Sequence, residues 1–242
     1  MKLKYRDKYR MYKVMKQHPE LSPHLPDTRK WRGKNEFYQM LSSHKGLVLK
    51  PNKGLKGKNI YFVTKSKNSY WLQYKNWRRR FKSRFSLFSH LDKRIGNKRY
   101  IIQKRIYTAE VKGRPFDIRV IVQLNPKSKK WKVTGYKVRV AGKGMLITNA
   151  NAGGKVVSYK MAMQHSALPE SKWEGLLKKT KEVSLRSAEV MGESYKGHRI
   201  FGTDIGVTKD GKAIIFEINR HPLIKGFTKK HLKTIRNYKR MN

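Results

Sequence analysis

Cysteine is absent from this 242-residue chain, and acidic residues are scarce, with 15 Asp and Glu against 59 Lys and Arg. The lack of cysteine excludes disulfides, thiolate chemistry and cysteine-ligated zinc, and it suits a reducing compartment. The formal net charge of +44 exceeds what a nucleotide site requires, so it indicates a partner of opposite sign. The alternative is a lysine bias shared by all proteins of the source organism.

Long hydrophobic runs are also missing. No stretch approaches the roughly 18 consecutive apolar residues of a membrane span. The N-terminal MKLKYRDKYR lacks the apolar run of a signal peptide. We therefore expect neither membrane insertion nor export, and a cytoplasmic location. The apolar content of 38% is sufficient for one substantial core or two small lobes.

Familiar motifs of nucleotide binding and catalysis do not occur. The sequence contains no G-x-x-x-x-G-K-[S/T], no G-x-G-x-x-G, no G-x-S-x-G and no histidines at metal-ligand spacing. These absences disfavour P-loop and Rossmann-type nucleotide sites, a serine nucleophile elbow and a histidine-ligated metal.

The N-terminal region is predicted to be helical. Aromatic and apolar side chains three or four residues apart share one helix face, and Pro19 ends that helix. The shared face consists of Met1, Tyr5, Tyr9 and Tyr12. With a second short helix over Glu36 to Leu41, we interpret residues 1–45 as a docking segment.

Alternating strands and turns follow. Strands are predicted at 46–50, 60–63, 100–103, 116–124, 131–140, 199–207 and 213–219. The stretch from Trp71 to Phe88 interleaves aromatic and basic residues and is predicted to be helix or loop. Ser171 and Glu174 form a capping-box pattern that predicts the start of a helix, with Gly192 as its stop.

The strand over 116–124 is predicted to form a hairpin with 131–140. Period-two alternation places Asp117 and Arg119 on one face and Ile118 and Val120 on the other. One face of this hairpin is therefore predicted to be chemical and the other to belong to the core.

Two segments suggest a nucleotide. The glycines of the Asn52 to Asn59 loop allow close backbone approach to phosphates, although such a loop can also be a simple hairpin turn. Asp204 precedes a predicted hairpin whose return strand carries Glu217 and Asn219 on one face. Three converging oxygen ligands suit Mg²⁺ completed by ATP phosphates. Alternatively, Asp204 caps a turn and Glu217 pairs with a lysine.

The sequence resembles the ATP-grasp superfamily. The resemblance begins with GTDIG and FEIN and extends, from about Lys50 to Pro222, through LVLKPNKGLKGKNI, YIIQKRI, GRPFDIRVIVQ and VRVAGKGMLITNANAGG. These blocks are similar to the spore-coat-associated YheC/YheD branch, and the Asp-Ile-Arg, Arg, Asn and Gly-Gly elements also occur in a ribosomal-protein glutamate ligase. The resemblance implies an α+β ATP-grasp fold of two lobes with the nucleotide between them.

That fold divides the sequence into the docking segment, a small lobe over residues 46–106 and a large lobe over 107–242. Because few residues precede Lys50, the N-terminal lobe that many ATP-grasp enzymes carry is expected to be absent. The basic stretch with Arg78, Arg79, Arg80 and Lys82 is then a candidate for gripping a polyanionic substrate.

The resemblance also implies individual roles. ATP would be bound by Lys50, Lys56, Lys104, Arg105, Asp117, Thr148 and Asn149. Asp117 would take a ribose hydroxyl, and the basic Lys104–Arg105 pair departs from the acidic or neutral residues usual at the adenine hinge. Arg119 and Arg139 would stabilise the transferring phosphoryl group and an acyl phosphate. Mg²⁺ would be held by Asp204, Glu217 and Asn219.

The implied activity is an ATP- and Mg²⁺-dependent carboxylate–amine ligase that acts on a peptide or another polyanionic acceptor, and spore association is compatible with it. The second hypothesis is a protein that binds nucleic acid or the spore coat. Such a protein would retain the ATP-grasp fold, and catalysis would be secondary to binding. It depends on the +44 charge and the segment WRRRFKSRF.

Overall fold

A computed structural model describes residues 2–54 and 57–240. The α-helices are α1 (Lys8–Lys16), α2 (Lys34–Ser43), α3 (Arg84–Ile95), α4 (Tyr159–Gln164), α5 (Trp173–Ser194) and α6 (Lys229–Arg240). The first strands are β1 (Thr28–Lys30), β2 (Gly46–Pro51), β3 (Tyr61–Ser66), β4 (Ser69–Tyr74), β5 (Trp77–Phe81) and β6 (Tyr100–Lys104). The remaining strands are β7 (Glu110–Val111), β8 (Arg114–Leu124), β9 (Trp131–Val140), β10 (Lys155–Val157), β11 (Ile200–Val207) and β12 (Ala213–Asn219).

The chain divides into two compact units. The large unit contains Met1–Arg6, Arg10–Leu25 and Tyr107–Asn242, and the small unit contains Asp7–Tyr9 and Pro26–Ile106. Parts of residues 1–45 contribute to each of the two units.

The small unit is an antiparallel sheet with α2 and α3 against one face. Its strand order is β1-β6-β2-β3-β4-β5. Leu47, Leu49 and Leu72 are fully buried with Phe37 of α2 and Leu87 of α3. These apolar side chains alternate with outward-facing residues along the strands, as expected for a sheet with one covered face.

The prediction of helix or loop for Trp71 to Phe88 is wrong, because this stretch forms most of β4, all of β5 and the start of α3. Strand β5 is the edge of the sheet, and its residues from Trp77 to Arg80 are all exposed. A strand that is exposed on both faces does not need to alternate apolar and polar residues. The period-two pattern that identifies half-buried strands was therefore missing from β5. Ser83 caps α3 by accepting a hydrogen bond from the Ser86 amide.

The large unit contains the second sheet, in the order β10-β9-β8-β11-β12, with β7 paired to β8. The predicted hairpin is confirmed, since β8 and β9 pair antiparallel. Ile118 and Val120 face the core beneath α5. On the opposite face Ile121 packs with Phe227 and with Ile235 of α6, a helix that the sequence analysis did not predict.

Helix α5 begins differently from its prediction. It starts at Trp173, after a 3₁₀ turn over Glu170–Lys172. The residue before it, Lys172, makes no side-chain hydrogen bond that caps the helix. Gly192 does not stop the helix, which continues to Ser194. A Cβ at Gly192 would lie 2.6 Å from Cζ2 of Trp131, so glycine is required there for close packing. Among the described residues, no helix has the length and apolar character needed to cross a membrane.

The first helix also differs in its buried face. It begins at Lys8 and buries Met11, Val14 and Met15, whereas Tyr5 precedes it and is 65% exposed. The predicted face of tyrosines is therefore wrong, and Met1 lies outside the described residues. The methionines and valine offer purely apolar surface, which explains why this side of the helix is buried.

Candidate functional site

Four charged side chains lie on the face of the large-unit sheet opposite α5. Strand pairing places Asp117 directly across from Arg139 and Arg119 directly across from Asp204. All four residues are buried, with relative exposures between 5% and 9%. Buried charges are costly unless they are paired, so such a set requires close contacts among its members.

The contacts form a network of alternating charge. Arg139 donates from Nε to Asp117 Oδ1 at 2.7 Å and from Nη2 to Asp117 Oδ2 at 2.6 Å. The same Nη2 lies 2.9 Å from Asp204 Oδ1. Arg119 donates from Nε to Asp204 Oδ1 and, at 2.8 Å, from Nη2 to Asp204 Oδ2. Two guanidinium groups and two carboxylates thus fix one another's orientation.

The network sets the charge states at its centre. Burial acts to raise the pKa of Asp204, but the guanidinium groups of Arg119 and Arg139 outweigh it and hold that pKa below its usual value. Burial likewise acts to lower the pKa of Arg139, and the two carboxylates more than reverse it. Asp204 and Arg139 therefore carry their full charge in the neutral pH range.

A polar loop after β9 reaches the same network. Thr148 donates from Oγ1 to Asp117 Oδ2 at 2.6 Å. The carbonyl oxygen of the adjacent Asn149 accepts from the amides of Ala152 and Gly154 at 2.9 and 3.1 Å. A Cβ at Gly154 would lie 2.2 Å from the Thr148 carbonyl oxygen, so the loop is closed tightly around that glycine.

The hairpin of β11 and β12 places the predicted metal ligands side by side. Asp204 is the direct partner of Glu217, and Asn219 Nδ2 donates to Asp204 Oδ2 at 3.4 Å. Arg6 donates from Nη2 to Glu217 Oε1 and, at 3.0 Å, to Asn219 Oδ1. One cationic nitrogen of Arg6 therefore contacts two of the three side chains that the sequence assigned to a metal.

This arrangement bears on whether Mg²⁺ fits. The side-chain oxygens of Glu217 and Asn219 both contact one positively charged nitrogen of Arg6. The same two oxygens can therefore also bind a metal ion placed where that nitrogen lies. Both oxygens of Asp204 already accept from guanidinium groups. Over residues 2–54 and 57–240 no cluster of three His, Cys, Asp or Glu side chains is suited to hold a metal. The residues fit an ion that takes its remaining ligands from phosphates and water, as Mg²⁺ commonly does.

Arg6 and Lys137 are members of this site that the sequence analysis missed. Lys137 lies on β9 directly across from Arg119, and its Nζ donates to the Lys225 carbonyl oxygen. Burial, with Arg119 and Arg139 nearby, lowers the pKa of Lys137 to about 8. The hairpin register that pairs Asp117 with Arg139 would also have identified Lys137, since it lies two residues from Arg139 on the same face. No comparable sequence signal exists for Arg6, which is 211 residues from Glu217.

In the small unit, Lys50 lies on β2 and is 8% exposed. Its Nζ donates to Gln103 Oε1 at 2.9 Å, and Gln103 Nε2 donates in turn to Thr28 Oγ1 at 2.7 Å. Lys50 is thus part of a buried polar chain that links three strands.

The predicted hinge pair uses its amides within the small unit. The Lys104 amide donates to the Asp27 carbonyl oxygen and the Arg105 amide to the Gly46 carbonyl oxygen, both at 2.8 Å. Arg105 also donates from Nη1 to Thr64 Oγ1 at 2.6 Å. Neither amide is therefore available to a base without breaking a bond of the fold.

The loop between β2 and β3 is described except at its middle. Lys8 donates from Nζ to the carbonyl oxygens of Pro51, at 3.1 Å, and Gly54, at 2.6 Å. Asn52 accepts at Oδ1 from the Tyr9 amide at 2.9 Å. Lys56, predicted to bind ATP, lies outside the described residues.

Comparison with known proteins identifies a family and relatives that match most of the chain. The model of a family described as YheC/D like ATP-grasp matches residues 1–241. The endospore coat-associated protein YheD of Bacillus subtilis (strain 168) is 25% identical over an alignment of 222 residues that covers 89% of this chain. The chain spans about half the length of YheD, at 48%.

Solved structures show the same fold. The ATP-grasp ligase PsnB complexed with minimal precursor superposes with a TM-score of 0.57 and 14% identity, covering 98% of this chain and 61% of PsnB. D-alanine–D-alanine ligase from Bacillus anthracis complexed with ATP has a TM-score of 0.55 and 14% identity, covering 97% of this chain and 62% of the ligase. At this identity the likeness shows the ATP-grasp fold alone.

Proposed function

Since the chain belongs to the family of YheC/D-like ATP-grasp proteins, we propose that it is an ATP-dependent carboxylate–amine ligase. In the first step a carboxylate oxygen attacks the γ-phosphorus of ATP, which forms an acyl phosphate and releases ADP. In the second step an amine attacks the acyl carbon, inorganic phosphate leaves, and the amine proton passes to a base or to solvent. The product is an amide.

The observation that carries this proposal is the buried network of Arg119, Asp204, Arg139 and Asp117. Phosphoryl transfer to a carboxylate brings two anions together, so fixed positive charge is needed where the new charge develops. The carboxylates hold both guanidinium groups in place before any substrate arrives. Arg119 and Arg139 would therefore stabilise the transferring phosphoryl group and the acyl phosphate without a large reorganisation.

The proposal also assigns ATP contacts to individual residues. The nucleotide would be bound by Lys50, Lys56, Lys104, Arg105, Asp117, Thr148 and Asn149. Because the amides of Lys104 and Arg105 are already used, contacts of these two residues with adenine would come from carbonyl groups or side chains. Asp117 is buried and accepts from Arg139 and Thr148, and its remaining lone pairs could accept a ribose hydroxyl.

Mg²⁺ would be held by Glu217 and Asn219, with Asp204 beside them. The ion would neutralise negative charge on the ATP phosphates. Arg6 contacts the same oxygens of Glu217 and Asn219, so it would have to leave them before an ion binds. This requirement gives the N-terminal residues a direct relation to the proposed metal site.

The acceptor is proposed to be a peptide or another polyanion. Support comes from the net charge of +44, which concentrates anionic partners near the protein. YheD is named for its association with the endospore coat, and we extend that setting to this chain as part of the proposal.

The test is release of ADP and phosphate with panels of amino acids and acidic peptides, compared between the wild type and Glu217→Ala. We expect release only when a carboxylate and an amine are both present, and loss of most of it in the variant. The matched control is Glu174→Ala, which removes an exposed carboxylate from α5. Equal turnover in wild type and Glu217→Ala would refute the metal role, and no ADP release with any pair would refute the ligase.

A further inference from the structure

The outer edge of β5 combines an unpaired strand edge with three consecutive arginines. Strand β5 is last in the small-unit sheet and pairs only with β4 among the described strands. Trp77, Arg78, Arg79 and Arg80 are all exposed. An exposed edge presents a row of backbone N–H and C=O groups to any extended chain that can pair with it.

Register distributes the arginines over both faces of the sheet. Arg78 and Arg80 lie across from Gln73 and Trp71 and share their face. Arg79 lies across from Leu72 and is on the other face. An extended peptide paired to this edge also projects successive side chains to alternate faces. A run of acidic residues would therefore meet a guanidinium group on each face.

The sequence around β5 supplies no carboxylates to neutralise these arginines. No Asp or Glu occurs between Glu36 and Asp92, a stretch that contains the whole of β2 to β5. The arginines thus carry an uncompensated local positive charge within their part of the sequence. Partners with several carboxylates or phosphates are the chemical classes that match it.

The aromatic rings near the edge favour carboxylates over nucleic-acid bases. The guanidinium carbon of Arg78 lies 4.1 Å from the Trp71 ring centroid, and that of Arg79 lies 5.3 Å from the Phe81 ring. Trp77 stacks with His90 at 6.0 Å. Binding of single-stranded nucleic acid uses open ring faces for stacking. Here each of these rings already has a cationic or aromatic partner, and a stacked guanidinium directs its N–H edges outward, where they can bind carboxylates.

We propose that the outer edge of β5 binds an extended acidic peptide segment as an additional strand. Backbone hydrogen bonds to the edge hold the segment, and its carboxylates pair with Arg78, Arg79 and Arg80. Binding itself does not require catalysis, whereas the role of this edge in docking an acceptor rests on the ligase proposed above. Strand addition of this kind is a recurrent mode of peptide recognition.

The experiment measures fluorescence anisotropy of a labelled Asp- and Glu-rich peptide of about ten residues at about 0.15 M salt. The variant R78Q/R79Q/R80Q removes three charges from exposed positions and leaves the core of the small unit intact. We expect its affinity for the peptide to fall by about tenfold or more.

The matched control is K127Q/K129Q/K130Q, which removes three exposed charges from the turn between β8 and β9. We expect this control to retain affinity within about twofold. Equal losses in the two triple variants would show that net charge alone drives binding and would overturn the proposal.

Two further probes test the mode of binding and the class of partner. A peptide of the same sequence with alternate backbone N-methylation keeps its charge but cannot pair with the edge, so we expect it to bind much more weakly. Unchanged binding of that peptide would overturn strand addition. An oligonucleotide of equal charge that binds more tightly than the peptide and is lost in R78Q/R79Q/R80Q would assign the edge to nucleic acid instead.

The outcomes also separate this inference from the proposed activity. Glu217→Ala is expected to lose ADP release while it binds the acidic peptide as the wild type does. If the peptide requires β5 but no ADP is ever released, only the ligase proposal fails. If ADP is released and R78Q/R79Q/R80Q binds the peptide normally, only the edge proposal fails.

Discussion

Arg119 binds Asp204 across the β8–β11 pair through two guanidinium nitrogens, and both residues are buried. Arg139 reaches the same carboxylate from β9. Asp204 therefore neutralises part of the charge of two cations at once. Its removal would leave buried guanidinium groups with too few partners.

Asp204→Asn is expected to destabilise the fold by about 3 kcal/mol or more, because breaking a buried ion pair leaves an uncompensated charge. The measurement is the free energy of unfolding from urea titration near neutral pH. Asp210→Asn is the control, since Asp210 is exposed and pairs with the exposed Lys212. Its effect should be far smaller. Equal effects would mean that the network contributes no more than a surface pair.

Helix α5 offers a test of packing with an internal control. Gly192→Ala would place a Cβ 2.6 Å from the Trp131 ring, and we expect a loss of about 1–3 kcal/mol in unfolding free energy. Gly175→Ala on the same helix meets no heavy atom within 4 Å and should be neutral or stabilising by up to about 1 kcal/mol. Thermal unfolding of both variants decides between these outcomes, and a stable Gly192→Ala protein would contradict the packing.

Arg6 is expected to compete with a divalent cation for Glu217 and Asn219. Arg6→Ala removes the competing charge, so the affinity for Mn²⁺, measured by electron paramagnetic resonance as a stand-in for Mg²⁺, should rise about threefold or more. Lys4→Ala removes one positive charge from an exposed position of the same segment and serves as the control. Equal affinities in the two variants, or weaker binding in Arg6→Ala, would exclude competition.

The sequence predicted those parts of the fold that depend on short-range periodicity. Strand β12 was predicted with its observed bounds, and the turn before it brings Asp204 next to Glu217 as expected. Alternation along β8 correctly separated the Asp117 and Arg119 face from the core face. In each case neighbouring residues in the sequence determine which side chains share a face.

The remaining features depend on partners distant in the sequence or on the absence of burial. The contact of Arg6 with β12 joins residues 211 positions apart, which no local pattern encodes. Strand β5 has no buried face from Trp77 to Arg80, so hydrophobic alternation was missing there. The start of α5 was mispredicted because a 3₁₀ turn occupies the expected cap. The roles of the site residues toward ATP and Mg²⁺ stay predictions.

Lys137 gives the last prediction, which concerns pH. Burial and the nearby Arg119 and Arg139 lower its pKa from 10.5 to about 8 in the folded protein. Between these values the unfolded chain binds more protons than the folded one, so this lysine makes stability rise with pH. Below about pH 8 both states are protonated, and the cost of the half-buried charge is constant and fully present.

Lys137→Met removes that cost at every pH, along with the hydrogen bond to the Lys225 carbonyl oxygen. The unfolding free energy of the variant, relative to that of the wild type, should therefore be highest below pH 8 and fall between pH 8 and 10.5. The expected fall is about 1 kcal/mol, which allows for solvent around this side chain. Urea titrations of both proteins across this range measure it. A constant difference would mean that Lys137 keeps its proton as readily in the folded state as in the unfolded chain.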